Sequence, residues 1–264
     1  MADTPAISVS ALRKTYLDFW RRPAHEALRG VSLSVPGGSV FSLIGPNGSG
    51  KSTAIKIILG LVSPTSGSVS IFGAPPGSMA VKRRIGYLPE LTNLHRFLTP
   101  RETLMYYAGI FGLDAATSRK RASQLIEMVG LEDAADRPIG QFSKGMARRV
   151  GIAQALINNP DLIILDEPTS GLDPLGAMAV KHWIASLAAT GKTVFMSSHI
   201  LSDVEDASTQ VAILCDGVIK ACGAIDDLLP GRRESHSVRL ESLFVDVVDR
   251  DAAPPLAPFL LGND

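Results

Sequence analysis

GPNGSGKST, residues 45–53, fits the spacing G-x-x-x-x-G-K-[ST] through Gly45, Gly50, Lys51 and Ser52. Its flanks supply the context that spacing needs. Val40–Ile44 (VFSLI) is a run apolar but for Ser42 that reads as a buried strand, and KSTAIKIILGL (51–61) reads as a helix. Strand, glycine-rich turn and helix start together make an anion cradle. Glycine lets successive backbone N–H groups turn inward, and the helix N-terminus adds the positive end of its dipole. Lys51 is then placed for the β- and γ-phosphates of a nucleoside triphosphate and Ser52 for Mg²⁺, with Asn47, Gly48 and Thr53 completing the loop.

Three more runs share the look of that first strand. LIIL (162–165), TVFM (193–196) and VAIL (211–214) are apolar but for Thr193, as parallel strands covered on both faces are. The first carries Asp166 to its C-terminal end, the edge where open α/β sheets bind ligands. Asp166 is the candidate metal carboxylate. Glu167 follows it, points the other way, and is the candidate general base for an attacking water. TVFMSSHIL sets His199 just past another such edge, where an imidazole can contact the γ-phosphate or orient the water. The other histidines, His182 beside Trp183 among them, read as structural.

Nearer the N-terminus, ISVSALRKTY (7–16), VSLSV (31–35) and GSVSIFG (67–73) alternate or carry turn residues, as antiparallel strands do. The middle of the chain, about residues 91–145, reads as a helical insertion. Thr99-Pro100-Arg101-Glu102 is a capping box with proline at the first helical position, and its helix runs to Gly112. Ala122, Leu125, Ile126 and Val129 form the apolar stripe of a second helix closed by Gly130. A third begins after Ser143 and stops at Asn158-Asn159-Pro160.

In VAILCDGVIKACG (211–223), Asp216-Gly217 reads as a two-residue hairpin turn. That turn sets Cys215 opposite Val218 and Cys222 opposite Val211, with the sulfurs roughly 13 Å apart at strand rise. A disulfide needs Cα atoms within about 7 Å, so both read as reduced, structural cysteines. Beyond about residue 224, Leu240, Leu243, Phe244 and Val247 suggest one amphipathic helix, and DAAPPLAPFLLGND (251–264) a proline-rich tail expected to be mobile. The chain divides into residues 1–223 and a short C-terminal extension, 224–264.

One stretch is left over: FSKGMARRV, residues 142–150, a serine and a glycine just ahead of a helix with two arginines. The order of glycine-rich loop, helical insertion, this stretch, LDEPTSGLDP and SSH resembles the ATP-binding subunit of ABC transporters over about residues 6–223. The resemblance implies an α/β fold of P-loop NTPase type, with a mixed sheet core, an N-terminal antiparallel β subdomain and an inserted helical subdomain. The family's L-S-G-G-Q segment is here Phe142-Ser143-Lys144-Gly145-Met146; the serine and second glycine are kept, the first glycine and the glutamine are not. In that family two subunits pack head to tail, and each such segment caps the ATP of the other. By resemblance Ser143 and Gly145 bind the partner's ATP, Ser170 and Asp173 of SGLD link the two sites between subunits, and Tyr16 stacks on adenine, with Phe19 and Trp20 as rivals.

A second departure falls in IGYLPEL. Where the family has a glutamine, this chain has Glu90, a candidate metal ligand. A carboxylate there adds negative charge beside Asp166, Glu167 and the triphosphate. One such like-charge pair at about 5 Å costs roughly 3 kcal/mol at an effective dielectric near 20. The expectation is that Glu90 stands further out and links the site mechanically to a membrane partner.

Composition limits the partners. Lys plus Arg and Asp plus Glu are 26 each, a net charge of zero. There is no bulk pull toward nucleic acid or anionic lipid. No N-terminal signal and no apolar run of spanning length is read in the sequence. YLPE, FSKGM and LESLF resemble the ABC-2 exporter branch, which implies ATP and Mg²⁺ as cofactors, a separate transmembrane permease subunit, and a second copy of this chain or a close homologue. The expected place is the cytoplasmic face of the plasma (inner) membrane. The alternative is a soluble ABC ATPase acting on ribosomes or DNA.

Overall fold

The computed structural model describes residues 4–228 together with Leu240, Leu243 and Phe244. In chain order the elements are β1 Ile7–Leu17, β2 Pro23–Val35, β3 Val40–Ile44, α1 Lys51–Ile58, β4 Ser66–Ile71, α2 Met79–Lys82 and β5 Ile85–Leu88. Then come α3 Pro100–Ile110, α4 Ala115–Met128, α5 Lys144–Leu156, β6 Leu162–Asp166, α6 Pro174–Ala189 and β7 Thr193–Ser198. α7 Leu201–Ala207, β8 Gln210–Cys215, β9 Val218–Ala224 and α8 Ile225–Leu228 complete the described part.

Two sheets form. β2-β1-β4 is antiparallel, and the larger sheet runs β5-β6-β7-β3-β8-β9. Within the larger one all pairings are parallel except β8 with β9. The apolar runs are continuous because both faces are covered. Phe41, Leu43, Leu162, Ile164, Phe195 and Leu214 face one core with Ile55 and Ile58 of α1 and Ile7, Leu12 and Leu28 of the small sheet. Their neighbours Val40, Ile44, Ile163, Leu165, Val194, Met196 and Ile213 face a second core with Ile152 of α5 and Val180 and Ile184 of α6. The period of two along each strand decides which core each side chain enters.

The insertion is a third core. Leu104 and Ala108 of α3, Ala122 and Ile126 of α4, and Val150 and Ala153 of α5 pack together. Its first helix starts as the sequence predicts: Thr99 accepts from the Glu102 N–H, and Glu102 accepts from the Thr99 N–H. Thr99→Ala removes half of that reciprocal pair and is expected to cost about 1 kcal/mol of stability, read by urea denaturation.

The expectation for the hairpin needs one correction. Asp216 and Gly217 have φ of 49° and 75°, as a two-residue turn of mirror-image type requires, and Cys215 does lie opposite Val218. A register shift between Ile213 and Leu214, however, places Cys222 opposite Ala212, not Val211. Both thiols are free. β5 was not read from the sequence as a strand. Past β9, Ile225 and Leu240 are buried in the second core, with Leu243 and Phe244 against it. Val247 and the 251–264 tail lie outside the described residues.

Candidate functional site

Parallel strands deliver their C-terminal ends to one edge, and the order β5-β6-β7-β3 decides what meets there. β5 leads into Glu90, β6 ends on Asp166 with Glu167 beyond it, β7 leads into His199, and β3 leads into the glycine loop and α1. The result is a cleft of about 390 Å³ lined by His25, Ala27, residues 47–53, Glu90, Glu167, Ser170 and His199.

The loop is built to receive an anion. Gly50, the residue before α1, has φ of 107° and offers no side-chain cap; the first turn of α1 holds no acidic residue. The N–H groups there are thus left for a ligand. Lys51 is buried, and its Nζ donates to the carbonyls of Gly45 (2.7 Å) and Pro46 (3.2 Å). Burial pushes its pKa down, and the negative charge of Glu167, Asp166 and Glu90 opposes that.

Asp166 is buried behind the wall and is not part of the lining. Ser197 Oγ donates to its Oδ1 at 2.6 Å and accepts from the Glu167 N–H at 3.1 Å, so one hydroxyl fixes both acidic positions. Burial raises the Asp166 pKa; the Ser197 hydrogen bond works against that rise. Glu167 takes a left-handed backbone, φ 53°, costly for a residue with a Cβ. Its Oε2 lies 2.7 Å from His199 Nδ1. His199 is half exposed at the mouth while Glu167 is buried.

Several predicted residues stand elsewhere. Gly45 is outside the lining: a Cβ on it would sit 2.1 Å from the Leu214 carbonyl oxygen, so it serves the close approach of the loop to β8. Tyr16 is also outside it; its cross-strand partner His25 is a lining residue, and the Lys14 ammonium lies 5.1 Å from the Tyr16 ring. Phe19 and Trp20 are strongly exposed and pack edge to face. Ser143 and Gly145 do not line the cleft. Ser143 caps α5, accepting from the Met146 N–H. Next to it, Lys144 reaches over Gly171, and Gly145 faces Leu172, so this turn rests on the Ser170–Asp173 loop of its own chain. Asp173 caps α6 through the Gly176 N–H, while Ser170 lines the cleft.

Glu90 is the clearest departure from expectation. It lies on the cleft wall with Lys51 and Ser52, not outside it. β5 ends at Leu88, Pro89 turns the chain, and a guanidinium from α5 holds the Glu90 carbonyl. Two residues were missed. His25 reads as structural with the other histidines because its place depends on a cross-strand register, and Arg148 stands in the sequence only as one of the two arginines of its helix. The pairing Tyr16↔His25 was the available signal for the first.

The donors suit a hard divalent cation. Among the described residues no group of three or more His, Cys, Asp or Glu side chains is placed to hold a metal alone. A serine hydroxyl and one buried carboxylate leave the remaining positions to phosphate oxygens and water, which is how Mg²⁺ is commonly bound.

The family described as ABC transporter matches residues 28–170. An uncharacterized ABC transporter ATP-binding protein of Nostoc sp. is 44% identical over 238 residues, 89% of this chain and 71% of that protein. A Nod factor export ATP-binding protein I of Burkholderia thailandensis is 41% identical over 197 residues, 74% of this chain and 65% of that protein. Among solved structures, an ATP binding subunit of an ABC transporter superposes with a TM-score of 0.80 at 34% identity, covering 92% of this chain and all of the other. The ATP-binding cassette MJ0796, dimeric and bound to ADP and Pi after hydrolysis, gives 0.77 at 29% identity, covering 86% of this chain and all of its own.

Proposed function

The chain belongs to the ABC transporter ATP-binding family, and from that premise we propose that it hydrolyses ATP as one half of a head-to-tail pair and drives a separate membrane subunit in export. The observation that carries this reading is the single cleft in which Lys51, Ser52, Glu90, Glu167 and His199 meet the glycine loop.

The N–H groups of the loop and of α1 bind the triphosphate, and Lys51 leaves the carbonyls of Gly45 and Pro46 for the β- and γ-phosphate oxygens. Ser52 and Asp166 would hold Mg²⁺, which would neutralise phosphate charge. Glu167 accepts a proton from a water whose oxygen attacks the γ-phosphorus; the bond from that phosphorus to the β–γ bridging oxygen breaks, and ADP and phosphate leave. His199, against Glu167, aims the carboxylate. Such general-base help is worth about 10²–10⁴ in rate. Ser143 and Gly145, standing away from their own cleft at the start of α5, cap the ATP held by a second subunit. Closure of the pair pulls on the membrane subunit, and hydrolysis releases it.

No helix among the described residues is long and apolar enough to cross a membrane. The match to an export ATP-binding protein supports the direction. The test is a pull-down of tagged Glu167→Gln from its native cells with ATP and gentle solubilisation. A polytopic membrane protein is expected; ribosomal proteins or DNA-repair factors alone would overturn the transporter reading.

Glu90 offers a finer test. Removing its charge from the wall relieves repulsion of the triphosphate, so Glu90→Gln is expected to lower the KM for ATP about threefold to tenfold, the cleft being open to screening water. kcat should stay within about threefold. Loss of Mg²⁺-dependent hydrolysis in steady-state assays would instead make Glu90 a metal ligand.

A further inference from the structure

Arg148 sits in the second turn of α5 and is 3% exposed. Burying a guanidinium is costly unless every donor is met. Here they are met almost entirely by main chain. Nη1 donates to the carbonyls of Pro89 (2.5 Å) and Glu90 (2.8 Å) and to Thr92 Oγ1 (3.1 Å). Nη2 donates to the carbonyls of Asp166 (2.6 Å) and Glu167 (2.7 Å), and Nε to that of Pro168 (3.3 Å). One planar fork therefore clamps two loops from distant parts of the chain. One carries Glu90 into the cleft, and the other carries the two carboxylates assigned to metal and base. Both are tied to the helix that Ser143 caps.

Resting on the reading above, we propose that Arg148 is a positioning residue for hydrolysis, fixing the Glu90 loop and the Asp166–Glu167 turn to α5 so that the carboxylates are aimed as one unit. It is not among the residues that line the cleft. Glu167 has reason to need such a hold, because its backbone lies at φ 53° and its carbonyl must be anchored for the side chain to stay toward His199. The arrangement also gives a short physical path from the start of α5, where a second subunit's ATP is proposed to sit, to the base. Movement of the helix carries both loops with it. Lysine cannot replace this group: an ammonium has three donors on one atom and cannot span two sets of carbonyls in a plane.

The experiment measures steady-state ATP hydrolysis with Mg²⁺ on the full chain, wild type beside Arg148→Lys and Arg148→Gln, with melting temperatures. Misplacement of reacting groups by about 1 Å costs on the order of 100-fold. The expected result is a kcat lowered about tenfold to 100-fold with the KM for ATP within about threefold, since the phosphate cradle is untouched. Amide hydrogen exchange at residues 89–92 and 167–168 should rise in the same variants. A purely structural arginine would lower the melting temperature and the yield of folded protein but leave kcat per folded molecule at the wild-type value. That outcome overturns the proposal. Should neither variant fold, Thr92→Val decides, because it keeps the volume and deletes one acceptor: an unchanged kcat overturns the proposal, and a loss of about twofold to fivefold at constant KM supports it. A wild-type chain that hydrolyses no ATP would sink the proposed function, whereas active variants beside an active wild type sink only the role of Arg148.

Discussion

Glu167→Gln is expected to bind ATP with near wild-type affinity and to hydrolyse it about 10²–10⁴ times more slowly. The amide is isosteric with the carboxylate but cannot accept the proton of the attacking water. The backbone of this position is held from both sides, by Ser197 Oγ on its N–H and Arg148 on its carbonyl, so the substitution leaves the turn in place. Removing the charge also takes one of the carboxylates away from the neighbourhood of Lys51 and Asp166. Affinity for the triphosphate should therefore hold or improve. Equilibrium binding of a fluorescent ATP analogue and single-turnover release of phosphate separate the two effects. A variant that loses binding and hydrolysis together would mean that Glu167 shapes the cradle, and the general base would have to be sought elsewhere on the wall.

Where burial on two faces imposes a pattern, the fold is legible in the chain. β3, β6, β7 and β8 were readable because each carries a run of mostly apolar residues with no polar alternation, and the two cores explain why none could alternate. The start of α3 was readable because its capping pair is local in sequence. β5 was not. It has four residues with Gly86 among them, and a glycine in so short a run reads as a turn. Its reason is packing, since a Cβ there would sit 1.9 Å from the Ala155 carbonyl oxygen of α5. The site divides in the same way. Lys51, Ser52, Asp166, Glu167 and His199 are announced by spacing and by their places at strand ends. His25 and Arg148 work through pairings with residues far away in sequence, β1 against β2 in one case and two loops against α5 in the other. The position of Glu90 was misjudged because repulsion was weighed without the carbonyl clamp that holds its loop against the cleft.

Gly45→Ala and Gly48→Ala should differ sharply although both alter the same loop. A Cβ on Gly48 meets nothing within 4 Å, but the backbone there has φ of 82°. The left-handed conformation costs about 1–2 kcal/mol for a residue with a Cβ, and this lowers stability in the free and liganded protein alike. The Kd for ATP should then stay within about threefold. Gly45 is the opposite case. Its φ is not left-handed, but a Cβ would stand 2.1 Å from the Leu214 carbonyl oxygen and 2.7 Å from Ser49 Oγ. Backbone on β8 cannot move aside cheaply, because β8 is hydrogen-bonded to β3 and β9. The loop must shift instead, and with it the carbonyl that holds Lys51. Charge-assisted bonds to phosphate are each worth about 1.5–3 kcal/mol, so losing the alignment of two of them raises the Kd by about 100-fold or more. Isothermal calorimetry with ATP on both variants, beside their melting curves, makes the comparison. Equal losses of affinity would mean that the phosphate grip depends on the flexibility of the loop; a loss confined to Gly45→Ala places it in the contact between the loop and β8.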